Sequence, residues 1–390
     1  MPNVPNLRFP GFEGEYRSYS FEDIFLFSTG KNIKQSEASP EFETPCVRYG
    51  ELYHLYNEVI NEVINKTNLD KSELVFSKGN EILLPSAGED PLDIGSASAL
   101  TIEGVAIGRT INILRPMNIN VYSHTYASYY INQKLKKKIS TLAKGVSISN
   151  VYNSDLRTLE IVLPSFSEQQ KIAKFLSLLN IRITTQSKII EGLKLLKNTA
   201  SESVFAQQFR FKDSNGNYFS DWETRELGKV LDYEQPTNYL VSNTEYDDNF
   251  EIPVVTAGKT FILGYTNEIE GVFEKKRLPV IIFDDFTTAS QYVEFQFKAK
   301  SSAMKILNGK DGNNIKFIYE AMQMINYKIG GHGRHWISVF SELKIPFPAL
   351  GEQTKIANFL TSIDEKIKVE MTLLQQYENQ KKYFLQNMFV

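Results

Sequence analysis

Two stretches of the chain set apolar residues on a seven-residue period. In the first, Ile172, Leu176, Leu179, Ile183, Ile190, Leu193 and Val204 share one four-three register. In the second, Ile356, Leu360, Ile363, Ile367, Leu374, Tyr377, Phe384 and Met388 do the same. Such a period, without proline or a glycine cluster, predicts a long helix with a coiled-coil seam. Polar residues interrupt both seams at matching places: Gln186 and Glu370, then Lys197 and Lys381. Polar seam positions weaken the pairing but fix its register and partner. About 38 residues at about 1.5 Å each make a rod of roughly 55–60 Å. The expectation is that the two helices pair antiparallel with each other and hold a globular region at either end.

The two stretches are copies. "LPSFSEQQKIAKFLSLLNIRI" starts at Leu163 and "FPALGEQTKIANFLTSIDEKI" at Phe347, 184 positions later, and the match runs without a gap from Leu159/Leu343 to Phe205/Phe389. An internal repeat outranks other sequence signals because it sets the architecture. Pro164 and Pro348 end the preceding strand. Ser167 and Gly351 are the expected N-caps, with Glu168 and Glu352 favouring the positive helix end. A lead-in segment repeats too: Arg8-Phe9 matches Arg210-Phe211, and Tyr16 and Phe21 match Trp222 and Leu227. The expected division is a lead-in at 1–18, a globular region at 19–158 and a helix-bearing region at 159–208. A linker with the second lead-in follows at 209–220, then a globular region at 221–343 and a helix-bearing region at 344–390.

Inside the globular regions the period changes to short β-type runs between turn clusters. "SELVF", "EILLP" and "TINILRP" read as strands in the first, and "EIPVVT", "TFILGYT", "LPVIIF" and "EFQFKA" in the second. "YASYYINQKLKKKISTLA" and "IKFIYEAMQMINYKI" read as similarly placed helices. The fold class is therefore α+β, with one scaffold used twice under divergent sequences. Loops on a rigid frame allow two different recognition surfaces.

Composition narrows the function. The chain has 390 residues, 42% hydrophobic and 12% aromatic, enough for real cores. No apolar run approaches membrane-spanning length and the amino terminus lacks a signal-like pattern, so a cytoplasmic protein without membrane contact is expected. Cys46 is the only cysteine, which excludes disulfides within the chain and cysteine-based zinc sites. The formal charge is −3, from 43 basic and 46 acidic residues. Bulk electrostatics will not hold nucleic acid here, so any such binding needs local patches or a partner's charge.

Two unlike globular regions, each followed by a proline-x-x-x-Glu-Gln helix start and a long amphipathic helix, resemble the specificity subunit of type I restriction-modification systems. Pro164, Glu168, Gln169, Ile172 and Leu176 carry the resemblance, with Pro348, Glu352, Gln353, Ile356 and Leu360. It covers nearly the whole chain. It implies two target recognition domains in a pseudo-twofold arrangement, each reading half of a bipartite double-stranded DNA target, with the antiparallel helices setting the spacer. It also implies partners: methyltransferase subunits, two of them, docked on the helices, and restriction/translocase subunits joined through the complex. Catalysis would belong to those partners, and no cofactor is implied. Glu168, Gln169, Glu352 and Gln353 would lie near the junction of the halves or the methyltransferase dock, although an acidic helix start is equally a structural device.

A search for chemistry in the chain itself finds little. There is no G-x-G-x-x-G, no Walker A and no Asn-Pro-Pro-aromatic stretch; "AGKTF" lacks the earlier glycine. Asp284-Asp285 with Lys298 has a nuclease-like flavour, but Gln296 stands where a second carboxylate is needed. "GGHGRHW" holds His332, Arg334 and His335. It reads either as a glycine-rich loop bringing Arg334 and an aromatic to DNA or as a structural turn, while two histidines alone make a poor metal site. Lys144 in "AKGVSIS" sits at the equivalent place. Lys134 and Lys137 in a basic run face phosphates or balance a helix dipole. Arg109, Lys259, Lys276 and Arg277 are weaker DNA-contact candidates. The alternative to a DNA reader is a protein scaffold that uses its twin heads without touching DNA.

Overall fold

The computed structural model describes residues 3–118, 120–145, 148–256, 258, 260–327 and 335–390. The chain divides into two compact units: Met1–Ser187 with Thr372–Val390, and Lys188–Met371. Each unit thus takes one globular region, the start of that region's own long helix and the end of the other long helix.

In the first unit, strand Arg17–Ser20 pairs antiparallel with Glu160–Leu163 and delivers the chain to the first long helix, Phe166–Phe205. A five-stranded sheet runs in the order Phe25–Thr29, Ile111–Pro116, Glu81–Pro85, Ser98–Leu100, Val59–Ile60. A four-stranded sheet places Thr44–Val47 parallel to Glu103–Ile107. The helix expected from "YASYYINQKLKKKISTLA" forms as His124–Tyr130, a wider π segment at Ile131–Leu135, and Lys136–Thr141. "SELVF" differs from expectation: Lys71–Glu73 winds into a 3-10 turn capped by Asp70, and extended pairing begins only at Phe76.

The second unit repeats the plan. Glu223–Glu226 pairs antiparallel with Lys344–Phe347 ahead of the second long helix, Leu350–Asn387. Leu231–Glu234, Met304–Gly309, Val280–Asp284 and Ser290–Val293 form a four-stranded sheet in that order. Ile252–Val255 lies parallel to Lys298–Ala299, as Thr44–Val47 does to Glu103–Ile107. Only the last two residues of "EFQFKA" are strand; Phe297 is fully buried instead and stacks on Phe273 at 4.9 Å. The helix predicted through Ile329 ends at Gln323, where Met324 caps it.

The helix pairing is antiparallel in both units. In the first, Phe175 meets Phe384 at 4.8 Å and Arg182 sits 4.4 Å over the Tyr377 ring, so one helix ascends in number as the other descends. In the second, Val204 and Phe205 share a core with Ile356 and Leu360, and Lys197 reaches Asp364 at 2.7 Å. Of the expected seam, Ile172, Leu176, Ile190, Ile356, Leu360, Ile363 and Tyr377 are buried, and Leu179, Ile183, Leu193, Ile367 and Leu374 are half-buried. Both helices start earlier than expected. The Ser165 and Ala349 carbonyls accept the first helical hydrogen bonds, from the Glu168 and Glu352 amides, so Ser167 and Gly351 lie inside the first turn. Gly351 has another job: a Cβ there would stand 2.8 Å from the Phe219 ring. No helix among the described residues is long and apolar enough to cross a membrane.

Cys46 is wholly enclosed beside Ile33 and Ala106. Burial, helped by the Glu51 charge, pushes its thiol up to about 12, and the thiolate is the reactive form. At pH 8 iodoacetamide should leave the native chain unlabelled and modify it only as denaturant unfolds the first unit. Rapid labelling of native protein would contradict this packing.

Candidate nucleic-acid interface

The repeated Glu-Gln pair sits at the centre of each unit. Glu168 is fully buried. Arg8 grips it with two prongs, Nε to Oε1 at 2.8 Å and Nη2 to Oε2 at 2.7 Å, and the Tyr16 hydroxyl donates to Oε1 at 3.1 Å. Glu352 is buried in the same way, with Arg210 Nε and Nη2 at 3.2 and 2.9 Å and Trp222 Nε1 at 2.9 Å. The same arginines tie down their lead-in loops: Arg8 donates to the carbonyls of Glu13 and Gly14, Arg210 to those of Phe219 and Ser220. Bidentate arginine–carboxylate contacts are among the stronger polar contacts. The Glu168 hydrogen bond raises the Arg8 pKa further. Burial first, and the Glu168 charge second, raise that of Tyr16.

The neighbouring glutamines face the globular regions. Gln169 Oε1 accepts from the Ser123 amide at 2.8 Å, and Nε2 donates to the carbonyls of Pro164 and Val121. Gln353 accepts from the Asn314 amide at 3.1 Å and donates to Pro348. Ser123 and Asn314 are the N-caps of His124–Tyr130 and Ile315–Gln323. Each Glu-Gln pair therefore binds the lead-in segment with one side chain and the domain helix with the other. Glu168, Gln169, Glu352 and Gln353 all lie in the interior with their polar atoms engaged, as the structural reading of an acidic helix start expects. Sequence reasoning missed Arg8 and Arg210 as their partners, although the basic residue shared by both lead-in copies was the available signal.

The polar seam lysines form a second pair of equivalent nodes. Lys197 contacts Glu320 at 3.1 Å and Asp364 at 2.7 Å, and Lys316 contacts the same two carboxylates at 2.8 and 2.9 Å. Two cations and two anions close a neutral ring. In the first unit Lys381 contacts Glu58 at 2.8 Å, and Asn180 donates to Glu58 at 3.3 Å and meets the Tyr129 hydroxyl at 2.7 Å. Both nodes anchor the end of one long helix to the other half's globular region.

The cationic candidates are dispersed. Lys134 and Lys137 are exposed on their helix, and Arg109 is exposed on a turn after Glu103–Ile107. Lys144 is largely exposed and paired with Asp155 at 2.7 Å. Lys276 pairs with Glu274. Arg277 is committed to the fold: it binds Glu234, meets the Tyr239 hydroxyl at 2.6 Å and covers the Phe273 ring at 4.6 Å. His335 was a surface candidate and is instead buried; its amide donates to Asp285 O and its ring packs on Tyr327. His332, Arg334 and Lys259 lie outside the described residues. The nuclease-like trio is dispersed as well. Asp284 caps its own turn, Asp285 faces buried Lys305 at 3.2 Å, and Lys298 is held by Glu268 at 2.7 Å. Among the described residues no His/Cys/Asp/Glu group of metal-binding size occurs.

The family model for the type I restriction modification DNA specificity domain matches residues 13–195 and 219–379. The chain belongs to this family of DNA specificity proteins. It is 44% identical over 167 residues to the specificity subunit of the type I restriction enzyme EcoR124I/EcoR124II from Escherichia coli. That match covers 39% of this chain and 41% of the subunit, about two fifths of its length. Identity is 27% over 296 residues to the putative MjaX specificity subunit of Methanocaldococcus jannaschii, covering 70% and 69% of the two chains. Among solved structures, the S subunit of a type I restriction-modification system from M. genitalium aligns with TM-score 0.70 at 17% identity, covering 99% of both chains. This likeness establishes a shared fold.

Two outcomes follow from the geometry. Arg8→Ala leaves Glu168 buried without its counter-ion, and breaking such a pair costs about 3–5 kcal/mol. Denaturant unfolding followed by circular dichroism should show that loss, with Arg8→Lys recovering part of it; a loss below about 1 kcal/mol contradicts the lock. The second concerns Glu268, whose carboxyl falls from 4.5 to about 2 through the Lys298 hydrogen bond, helped by Ser242. Its folded pKa is depressed, so its contribution is present above 4.5 and is lost as pH falls toward about 2. Glu268→Gln should flatten the acid limb of the stability curve in that window and leave its shape above pH 5 unchanged.

Proposed function

We propose that the chain is the DNA sequence-specificity subunit of a type I restriction-modification complex. Each globular region reads one half of a bipartite target in double-stranded DNA. The paired helices set the spacing between half-sites and dock two methyltransferase subunits, and restriction/translocase subunits join through that complex. The chain itself performs no catalysis; methylation and ATP-dependent cleavage belong to the partners. The observation that carries this reading is the duplication of one frame under two divergent heads: the same Glu-Gln lock, the same long helix and the same antiparallel strand pair ahead of it, with little shared sequence between the heads. A scaffold needs no such paired divergence, and the family match lends the scaffold reading no support.

The formal charge of −3 fits a subunit that binds tightly only within a complex. Phosphate contacts dominate DNA affinity, and the partners would add them. Co-expression with the methyltransferase subunits in a host lacking other methylation should write methyl-adenine at a single bipartite motif. Removing one heptad from each helix, at facing positions, shortens the pair by about 10 Å, or about three base pairs. The spacer in the mapped motif should shorten by that amount while both half-sites keep their bases; an unchanged spacer would remove the helices from the spacing role.

A further inference from the structure

The first unit contains an open cleft of about 490 Å³ that none of the features above occupies. It lies where the chain leaves the parallel strands Thr44–Val47 and Glu103–Ile107, whose last residues, Val47 and Ile107, are in register. Lys34, Arg48, Tyr49, Tyr53, His54 and Arg109 line it. These residues come from three separate segments. Lys34 and Arg109 are exposed and enter no ion pair among the described residues. Arg48 is held by Glu51 at 2.8 Å, which neutralises that carboxylate and fixes the orientation of the guanidinium. Tyr49 is exposed and tilts against Tyr53 at 6.4 Å, and His54 meets Tyr53 edge-on at 4.5 Å. The cleft thus gathers cationic donors and open aromatic rings in a chain whose overall charge is negative.

Its backbone is held under constraint. Asn32, Ile33 and Thr110 take left-handed φ values of 50°, 55° and 66°. For a β-branched residue such as Ile33 this conformation is an outlier that persists only where the surroundings impose it, and such residues cluster at functional sites. Here the Asn32 carbonyl accepts from the Arg109 amide at 2.9 Å and the Asn32 side chain donates to Glu73 at 2.9 Å. A Cβ on Gly30 would stand 2.0 Å from the Gly108 carbonyl, so the two turns bearing Lys34 and Arg109 press directly together.

The second unit has the equivalent edge with other side chains. Ile252–Val255 and Lys298–Ala299 are also parallel, with Val255 opposite Ala299. The chain leaves them at Thr256 and Lys300, and Lys300 lies 5.7 Å over the Tyr246 ring. In that register Thr256 stands where Arg48 does and Ser301 where Arg109 does, so neither arginine has a counterpart. A constant backbone edge with substituted side chains is what two different half-sites require.

We infer that this cleft is the base-reading surface of the first recognition domain: Arg109 and Arg48 present donors to base edges, and Lys34 contacts a phosphate. The inference rests on the proposed DNA-specificity function. An arginine fork matches the O6 and N7 acceptors of guanine, whereas a lysine on phosphate adds affinity without sequence preference.

The test compares Arg109→Ala and Lys34→Ala with wild type in the reconstituted methyltransferase complex, after the wild-type motif has been mapped. Both side chains are exposed, so neither change removes packing. Arg109→Ala should lose about tenfold to a hundredfold discrimination at one base pair of one half-site, with the other half-site unchanged. Lys34→Ala should weaken binding to duplexes of any sequence alike and lower the salt slope by about one. If both variants keep the wild-type motif and salt slope, or if Arg109→Ala alters both half-sites, the cleft assignment is overturned while the parent function stands. A wild-type complex that writes no bipartite motif overturns both.

Discussion

A carboxylate with no water around it sits at the start of each long helix, and each unit is assembled around that fact. Burying an ionised group is costly unless it is paired and hydrogen-bonded. Glu168 and Glu352 meet the requirement with an arginine fork and one aromatic donor each. The arginine belongs to the lead-in segment, so the segment has to return to the helix start. The adjacent glutamine takes the amide of the domain helix's N-cap, so the domain has to seat on the same turn. A six-residue stretch from Pro164 to Gln169, and again from Pro348 to Gln353, thereby joins three chain segments that are far apart in sequence. Buried ionic locks of this kind add little net stability over an apolar packing, yet removing one partner is costly, so each segment is tied to the other. That property suits the proposed role of holding two reading heads.

The heads can differ because the frame does not depend on them. The polar contacts described between head and helix centre on the N-cap of the domain helix and the two lysine nodes, beside the shared apolar cores. Even there the acceptors vary: Glu320 and Asp364 in one unit, Glu58 in the other. The lysine is constant while its receptor changes. Strand ends and turns are then open to substitution without consequence for the lock, which is how one scaffold acquires two specificities.

Much of this was legible in the residues. The repeat, the seven-residue seam, its polar interruptions and the antiparallel pairing follow from periodicity, which survives in any single sequence. The match of Tyr16 with Trp222 also had structural meaning, since both donate to the equivalent glutamate. Other features were hidden for physical reasons. Glu168 and Glu352 were legible as an acidic helix start, but not their burial, because charged residues are mostly exposed and only three-dimensional pairing with Arg8 and Arg210 brings them inside. His335 read as a DNA-contact candidate or part of a structural turn in a glycine-rich loop, and it is buried, its amide on the Asp285 carbonyl and its ring against Tyr327. The cleft around Lys34, Arg48 and Arg109 was illegible because no local pattern links positions that distant; the parallel strand pair creates it.

The most direct measurement of the central claim, one frame with two exchangeable reading heads, is a graft. Residues 225–342, the counterpart of 19–158 in strand register, are replaced by a second copy of 19–158, so that both lead-in segments and both Glu-Gln helices are kept, and the methylation motif of the resulting complex is mapped. The account predicts a symmetric target in which the first half-site appears twice, inverted, across the original spacer. A motif that still contained the original second half-site would contradict it.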